Sequence, residues 1–246
     1  MDLGLSGRRA LVTGGSAGIG RAIALQLARE GCDVAIVART ADRLEAAAAE
    51  LAAGTGRTVV AVPGDTGVDE DVARIAREAA ERLGGPIEVL VNCAATPSLG
   101  APWPEDALEE QLNVKVRGYL RLIRALAPAM ADAGWGRIVN VSGLAARQTG
   151  TVVGSVRNVA VSAMTKNLAD ELGPQGINVT VVHPGMTLTE SSPEGFAERG
   201  VGNVIGRVVT AAEVADVVAF LASPRSVSIT GDAIATGGGA TGAIFY

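Results

Sequence analysis

The clearest chemistry in the chain lies in Thr13-Gly14-Gly15-Ser16-Ala17-Gly18-Ile19-Gly20. Glycines at 14, 18 and 20 let the backbone turn sharply, bring amides up to a phosphate group and allow a following helix to pack close to its strand. A helix opening at Gly18 points its free N-terminal amides at negative charge. With Ser16 and Ile19 between the glycines and an apolar strand just before them, the segment reads as a dinucleotide pyrophosphate site. The next chemical position is Ala38-Arg39-Thr40. A carboxylate there would accept hydrogen bonds from an adenosine ribose. Arg39 instead either pairs with a ribose 2′-phosphate through its planar fork or extends into solvent. Thr40 and Arg43 add a hydroxyl and a second cation, so the pattern favours NADP over NAD.

These residues need a scaffold, and the hydrophobic pattern supplies one. Short β-branched runs at 9–13, 34–38, 58–62, 87–91, 137–141, 178–182 and 233–235 alternate with helical stretches at 18–30, 41–51, 68–83, 113–131, 155–172 and 211–221. Alternation of continuously apolar strands with helices marks a parallel sheet covered on both faces, a doubly wound α/β fold. Ligands in such sheets sit beyond the carboxyl ends of the strands. No linker or repeat interrupts the 246 residues. They read as one domain over 1–246, with a nucleotide-binding half over about 1–140 and a catalytic half over about 141–246.

Composition narrows the function. Hydrophobic residues make up 48% and charged ones 19%, which excludes disorder, and the net charge of −5 argues against nucleic acid or an anionic membrane as partner. No apolar run nears the roughly 18 residues of a membrane span, and the N-terminus lacks the pattern of a secretion signal. Cys32 and Cys93 form no close pair, and a single histidine, His183, cannot complete a zinc set. A cytoplasmic, metal-free protein is expected.

Several further motifs resemble the short-chain dehydrogenase/reductase family: the Thr13–Gly20 loop, Asn92-Cys93-Ala94-Ala95, Asn113 opening the long helix, His183-Pro184-Gly185 with Thr189, and Ile229-Thr230-Gly231. They run in order over essentially the whole chain. The resemblance implies a sheet of about seven strands, a nicotinamide cofactor, a small-molecule substrate and a homodimer or homotetramer. It also places Asp65 and Thr66 by the adenine, Asn92 and Ala94 along the cofactor, and Pro184, Gly185 and Thr189 by the nicotinamide. Local departures are Ala17, where NADP-using relatives often carry a basic residue, and Gly237, where many carry an acidic one.

The family's proton carrier is a tyrosine with a lysine four residues later, aided by a serine and an asparagine. Asn113 matches the asparagine. Gly154 falls in the tyrosine position, Asn158 in the lysine position and Gly143 in the serine position, with Ser142 one residue early. The only tyrosines are Tyr119 and Tyr246 and the only lysines Lys115 and Lys166. Tyr119 reads as a packing residue and Lys166 as solvated, while Tyr246 lies at the terminus. The polar groups left near the vacated dyad are Ser142, Ser155, Arg157 and Asn158. Ser155 reads equally as the cap of a helix that it opens. Three functions follow in order of fit: an NADP-dependent oxidoreductase with an altered proton path acting on a carbonyl or conjugated alkene, a non-redox enzyme on the same scaffold, and a catalytically silent NADP-binding subunit. The segment 190–207 is where the family builds its substrate lid, here short and with one aromatic, Phe196.

Overall fold

A computed structural model describes residues 1–96, 105–198 and 202–239. In chain order it contains β1 (Arg9–Thr13), α1 (Gly18–Arg29), β2 (Asp33–Ala38), α2 (Ala41–Thr55), β3 (Val59–Pro63), α3 (Asp69–Arg82), β4 (Val89–Asn92), α4 (Glu105–Gln111), α5 (Gly118–Asp132), β5 (Gly136–Val141), α6 (Val152–Leu172), β6 (Ile177–Pro184), β7 (Thr187–Leu188), β8 (Val209–Thr210), α7 (Ala211–Leu221) and β9 (Ala233–Thr236). Seven strands form one sheet in the order β3-β2-β1-β4-β5-β6-β9, every pair parallel. β7 and β8 make a separate two-stranded ribbon that the hydrophobic pattern does not announce. Among the described residues, no helix is long and apolar enough to cross a membrane.

Each strand sends alternate residues to opposite faces, and both faces are covered. Ala10 and Val12 of β1 join Ile23, Ala24 and Leu27 of α1 and Val214 and Val218 of α7 in one core layer. Leu11 of the same strand joins Ile75 of α3, Leu122 and Ile123 of α5 and Leu172 of α6 in the other. A polar ladder crosses this apolar interior: Asn92 donates to Asn140 at 3.0 Å, Asn140 to Thr165 at 3.0 Å, and Thr165 to the Val161 carbonyl at 2.8 Å. It pins α6 against the sheet beside the strand ends.

Two expectations about helices change. The long helix does not open at Asn113: α4 runs from Glu105, and a π-helical turn over Leu112–Arg117 joins it to α5, with the Gly118 amide donating to the Asn113 carbonyl five residues back. The helix expected over 155–172 begins at Val152, and its cap is Thr151, whose hydroxyl accepts the Gly154 amide. Ser155 is therefore inside the first turn, its amide already bonded to the Thr151 carbonyl.

The glycine loop shows why only glycine serves at its tightest point. A Cβ on Gly20 would lie 2.2 Å from the Gly14 carbonyl oxygen, whereas one on Gly54, near the exposed end of α2, would meet nothing within 4 Å. Gly20→Ala should cost about 1–3 kcal/mol through overpacking, and Gly54→Ala should add about 0.5–1 kcal/mol by relieving backbone entropy. Urea unfolding of the two variants against wild type measures both, and a neutral Gly20→Ala would refute the tight approach.

Candidate active site

The carboxyl ends of β1, β2, β4, β5 and β6 frame a cleft of about 680 Å³, within the range of small-molecule and cofactor sites. One end is walled by Thr13, Gly14, Ser16, Gly18, Ile19 and Gly20, with Arg39, Thr40, Arg43, Asp65 and Thr66 alongside. The other end is walled by Cys93, Ala94, Thr96, Lys115, Ser142, Arg157, Pro184, Gly185 and Thr189.

Local structure explains how this wall is held. The Thr13 hydroxyl, at the end of β1, accepts the amides of Cys93 and Ala94, each at 2.9 Å. This ties the loop after β4 to the glycine loop. Gly14 and Gly18 have φ of +70° and +57°, a region that favours glycine. The first turn of α1 carries free amides, and one of them, Gly18 N, is bound by the Glu190 carboxylate at 2.6 Å. Burial opposes ionisation of Glu190. The Gly18 amide, a second backbone amide and the charges of Arg21 and Arg43 outweigh it and hold the carboxyl below its usual range. A smaller recess shares Ser16 and Arg43 with the main cleft and adds Arg21, Glu50 and Glu190.

The sequence-derived residues part company here. Gly14, Ser16, Gly18, Ile19, Gly20, Arg39, Thr40, Asp65, Thr66, Ala94, Pro184, Gly185 and Thr189 all line the cleft. Asn92 stands behind it in the polar ladder. Of the five polar residues expected around the reaction, Ser142 and Arg157 line the cleft. Asn158 lies just behind, its carbonyl and Oδ1 accepting the Ser142 hydroxyl at 3.0 and 3.2 Å. Ser142 is the first residue beyond β5, and its amide still bonds to Val182 of β6. Asn113 is engaged elsewhere: it donates to the Gly67 carbonyl at 3.1 Å and accepts from Arg121 at 2.9 Å. Ser155 is not in the lining either. His183 is buried in β6 with Nε2 3.0 Å from the Ser162 hydroxyl; burial and the charges of Arg147 and Lys115 push it down to about 4, so it is neutral at physiological pH. Gly237 abuts Leu144: a Cβ would lie 2.3 Å from Leu144 Cδ1, leaving no room there for an acidic side chain.

Lys115 is the residue the sequence reading passed over. It is 4% exposed, it sits in the π-helical turn, and its ammonium donates to the Ser142 carbonyl at 2.9 Å. Tyr119, one turn on, is sealed in the interior with its hydroxyl between the carbonyls of Ala94 (3.0 Å) and Val141 (3.1 Å), and burial raises the phenol well above its ordinary value. Lys166 is on the surface, paired with Asp170. Tyr246 and residues 199–201 of the expected lid fall outside the described residues; the described part of 190–207 contains turns and no helix. The cleft is basic although the chain is acidic: Arg39, Arg43, Lys115 and Arg157 line it against a single carboxylate among its described lining, Asp65. Among the described residues, no cluster of three or more His, Cys, Asp or Glu could hold a metal.

Comparison with known proteins agrees with this architecture. An L-xylulose reductase of Mus musculus is 34% identical over 252 residues, covering 97% of this chain and 98% of its own. A 3-oxoacyl-(acyl-carrier-protein) reductase of Pseudomonas aeruginosa is 34% identical over 256 residues, covering 96% and 98%. The crystal structure of an L-sorbose reductase of Gluconobacter frateurii, complexed with NADPH and L-sorbose, superposes with a TM-score of 0.91 at 29% identity, over 99% of this chain and all of that one. The short chain dehydrogenase family itself matches residues 8–200, and the chain belongs to that family.

Proposed function

We propose that the protein is a cytoplasmic, NADP-dependent oxidoreductase acting on a small carbonyl or enone, with a proton path that does not use a tyrosine–lysine pair. The observation that carries this reading is the continuous basic cleft, with a glycine-walled helix terminus at one end and Lys115, Ser142 and Arg157 at the other. The residues fit a dinucleotide. Gly14, Ser16, Gly18, Ile19 and Gly20 would cradle the pyrophosphate, since a Cβ at Gly20 would fill the space that lets the loop close on α1. Arg39 and Thr40, with Arg43 beside them, would take the 2′-phosphate. Asp65 and Thr66 would flank the adenine. Ala94, with Asn92 behind it, would lie along the cofactor, and Pro184, Gly185 and Thr189 by the nicotinamide. When bound, the nicotinamide supplies or accepts the hydride.

The rest falls to side chains of this chain. Arg157 has one nitrogen on the Thr96 carbonyl at 3.2 Å, and its buried Nε has no partner among the described residues. Such a fixed cation can hold an oxyanion but cannot release its proton usefully. Ser142 keeps its hydroxyl on Asn158, which fixes its carbonyl, and with it the Lys115 ammonium, at the cleft wall. An enone suits this arrangement well, because hydride addition leaves a delocalised enolate that two cations stabilise. Carbonyl-reducing relatives and an NADPH-bound structural neighbour support the reading.

A second copy of the chain is the proposed partner, in a homodimer or homotetramer. Val152, Val156 and Val159 recur along one side of α6, and each is between 43% and 52% exposed.

Purified protein should oxidise NADPH in the presence of some member of a ketone, aldehyde and enone panel, read from nicotinamide absorbance. Silence across the panel, or substrate turnover without any nicotinamide change, would defeat the redox reading. Arg39→Ala should weaken NADPH binding roughly ten- to hundredfold, the worth of a charge-assisted pair, and leave NADH within about threefold by calorimetry. Glu190→Gln removes an anion from the helix terminus that a pyrophosphate would need, and should tighten NADPH roughly two- to fivefold; a weaker complex would show that Glu190 assists rather than competes. Val156→Glu should shift the protein toward the monomer in sedimentation equilibrium, and an unchanged assembly would remove α6 from the interface.

A further inference from the structure

We propose that Lys115 is the proton donor of this site, its ammonium delivering a proton to the oxygen of the substrate as it is reduced. This rests on the reading of the cleft as a nicotinamide site and adds to it the acid that the missing tyrosine would have been.

Burying an ammonium costs several kcal/mol unless it is paired, and Lys115 has no carboxylate partner among the described residues. Its one hydrogen bond, to the Ser142 carbonyl at 2.9 Å, uses one of three N–H donors. The residue lines the cleft, and no hydrogen bond from its other two donors is found among the described residues. The groups around it come from four elements. Arg157 acts on it from α6, Cys93 from the loop after β4 and His183 from β6, and Tyr119 stands one turn on along its own helix. The thiol, pushed up to about 12, and the phenol are both neutral near pH 7, as is the imidazole. The remaining charge is that of Arg157, and it repels a second cation. Burial first and Arg157 second bring Lys115 down to about 7.

The competing donors fail on structure. The Tyr119 proton is held between two carbonyls in the interior. The Ser142 hydroxyl is spent on Asn158. Arg157 does not give up a proton at any useful pH. Among the described residues, Lys115 combines a place in the cleft lining, spare donors and a proton that can leave.

The step balances simply. As hydride reaches the carbonyl carbon, the C=O π pair moves onto oxygen, and an N–H bond of Lys115 breaks while an O–H bond forms. The products are the alcohol, oxidised nucleotide and a neutral amine. That amine still donates to the Ser142 carbonyl, so it stays in place, and a proton from water restores it. Reduction therefore needs the ammonium and should decline as pH rises through about 7. Oxidation of the alcohol needs the free amine and should rise over the same range.

With only two lysines in the chain, an NMR titration of selectively labelled lysine gives two signals, and Lys166→Met assigns them. The signal that persists in Lys166→Met belongs to Lys115 and should titrate near 7. Lys115→Met should lower the reduction kcat roughly 10²- to 10⁴-fold, with NADPH affinity by calorimetry within about threefold. Lys115→Arg, which keeps the charge but not a removable proton, should be no better. Lys115 titrating at the ordinary lysine value, or Lys115→Arg retaining the wild-type rate and pH profile, would overturn the donor while leaving the redox reading intact. If the methionine variant fails to fold, the wild-type titration decides the matter. Wild type that binds no NADPH would overturn both.

Discussion

The Thr13 hydroxyl is the joint on which this cleft depends. Fully buried at the end of β1, it accepts the amides of both Cys93 and Ala94. One side chain thereby fixes the distance between the glycine loop and the loop after β4. The approach is close enough that a Cβ on Gly14 would lie 3.1 Å from the Cys93 carbonyl. A parallel sheet supplies five strand ends on one edge, but it does not by itself bring their loops together. Two hydrogen bonds from neighbouring amides to one oxygen do so without any flexible side chain.

Charge inside the cleft follows from its construction rather than from composition. A chain with a net charge of −5 concentrates Arg39, Arg43, Lys115 and Arg157 along one depression. At the glycine-loop end the cations are accompanied by helix amides, which together favour phosphate. At the far end Lys115 and Arg157 are pressed together with no counter-ion among the described residues, and a low dielectric magnifies their repulsion. Such a pair is expensive to fold around, and negative charge developing beside it would be stabilised.

Much of this was legible in the amino-acid pattern, and the exceptions are instructive. The seven strands of the large sheet and the glycine loop after β1 follow from apolar runs and glycine spacing, because those signals are local, while the residues expected after the later strands come from the family resemblance. The helix start placed at Asn113 moves because the helical run begins at Glu105 and passes through a π-helical turn over Leu112–Arg117, while Asn113 itself, matched to the family's asparagine, bonds Gly67 and Arg121. Ser155 misled because Thr151, four residues earlier, caps α6 instead. Lys115 did leave a trace. With Tyr119, Leu122, Leu126 and Met130 it falls on the buried stripe of its helix, at intervals of three and four residues. A lysine on such a stripe is a burial signal. What no local pattern gives is the neighbour it meets there, since Ser142 and Arg157 arrive from other elements.

The contact between Glu190 and Gly18 gives the protein its own stand-in for a bound anion. A helix terminus left bare would carry unsatisfied amides; here a carboxylate from a loop 172 positions along the chain satisfies one of them. A phosphate taking the Gly18 amide would displace that carboxylate. Arrival and release would then be an exchange of one negative group for another, with the loop that carries Glu190 a party to both.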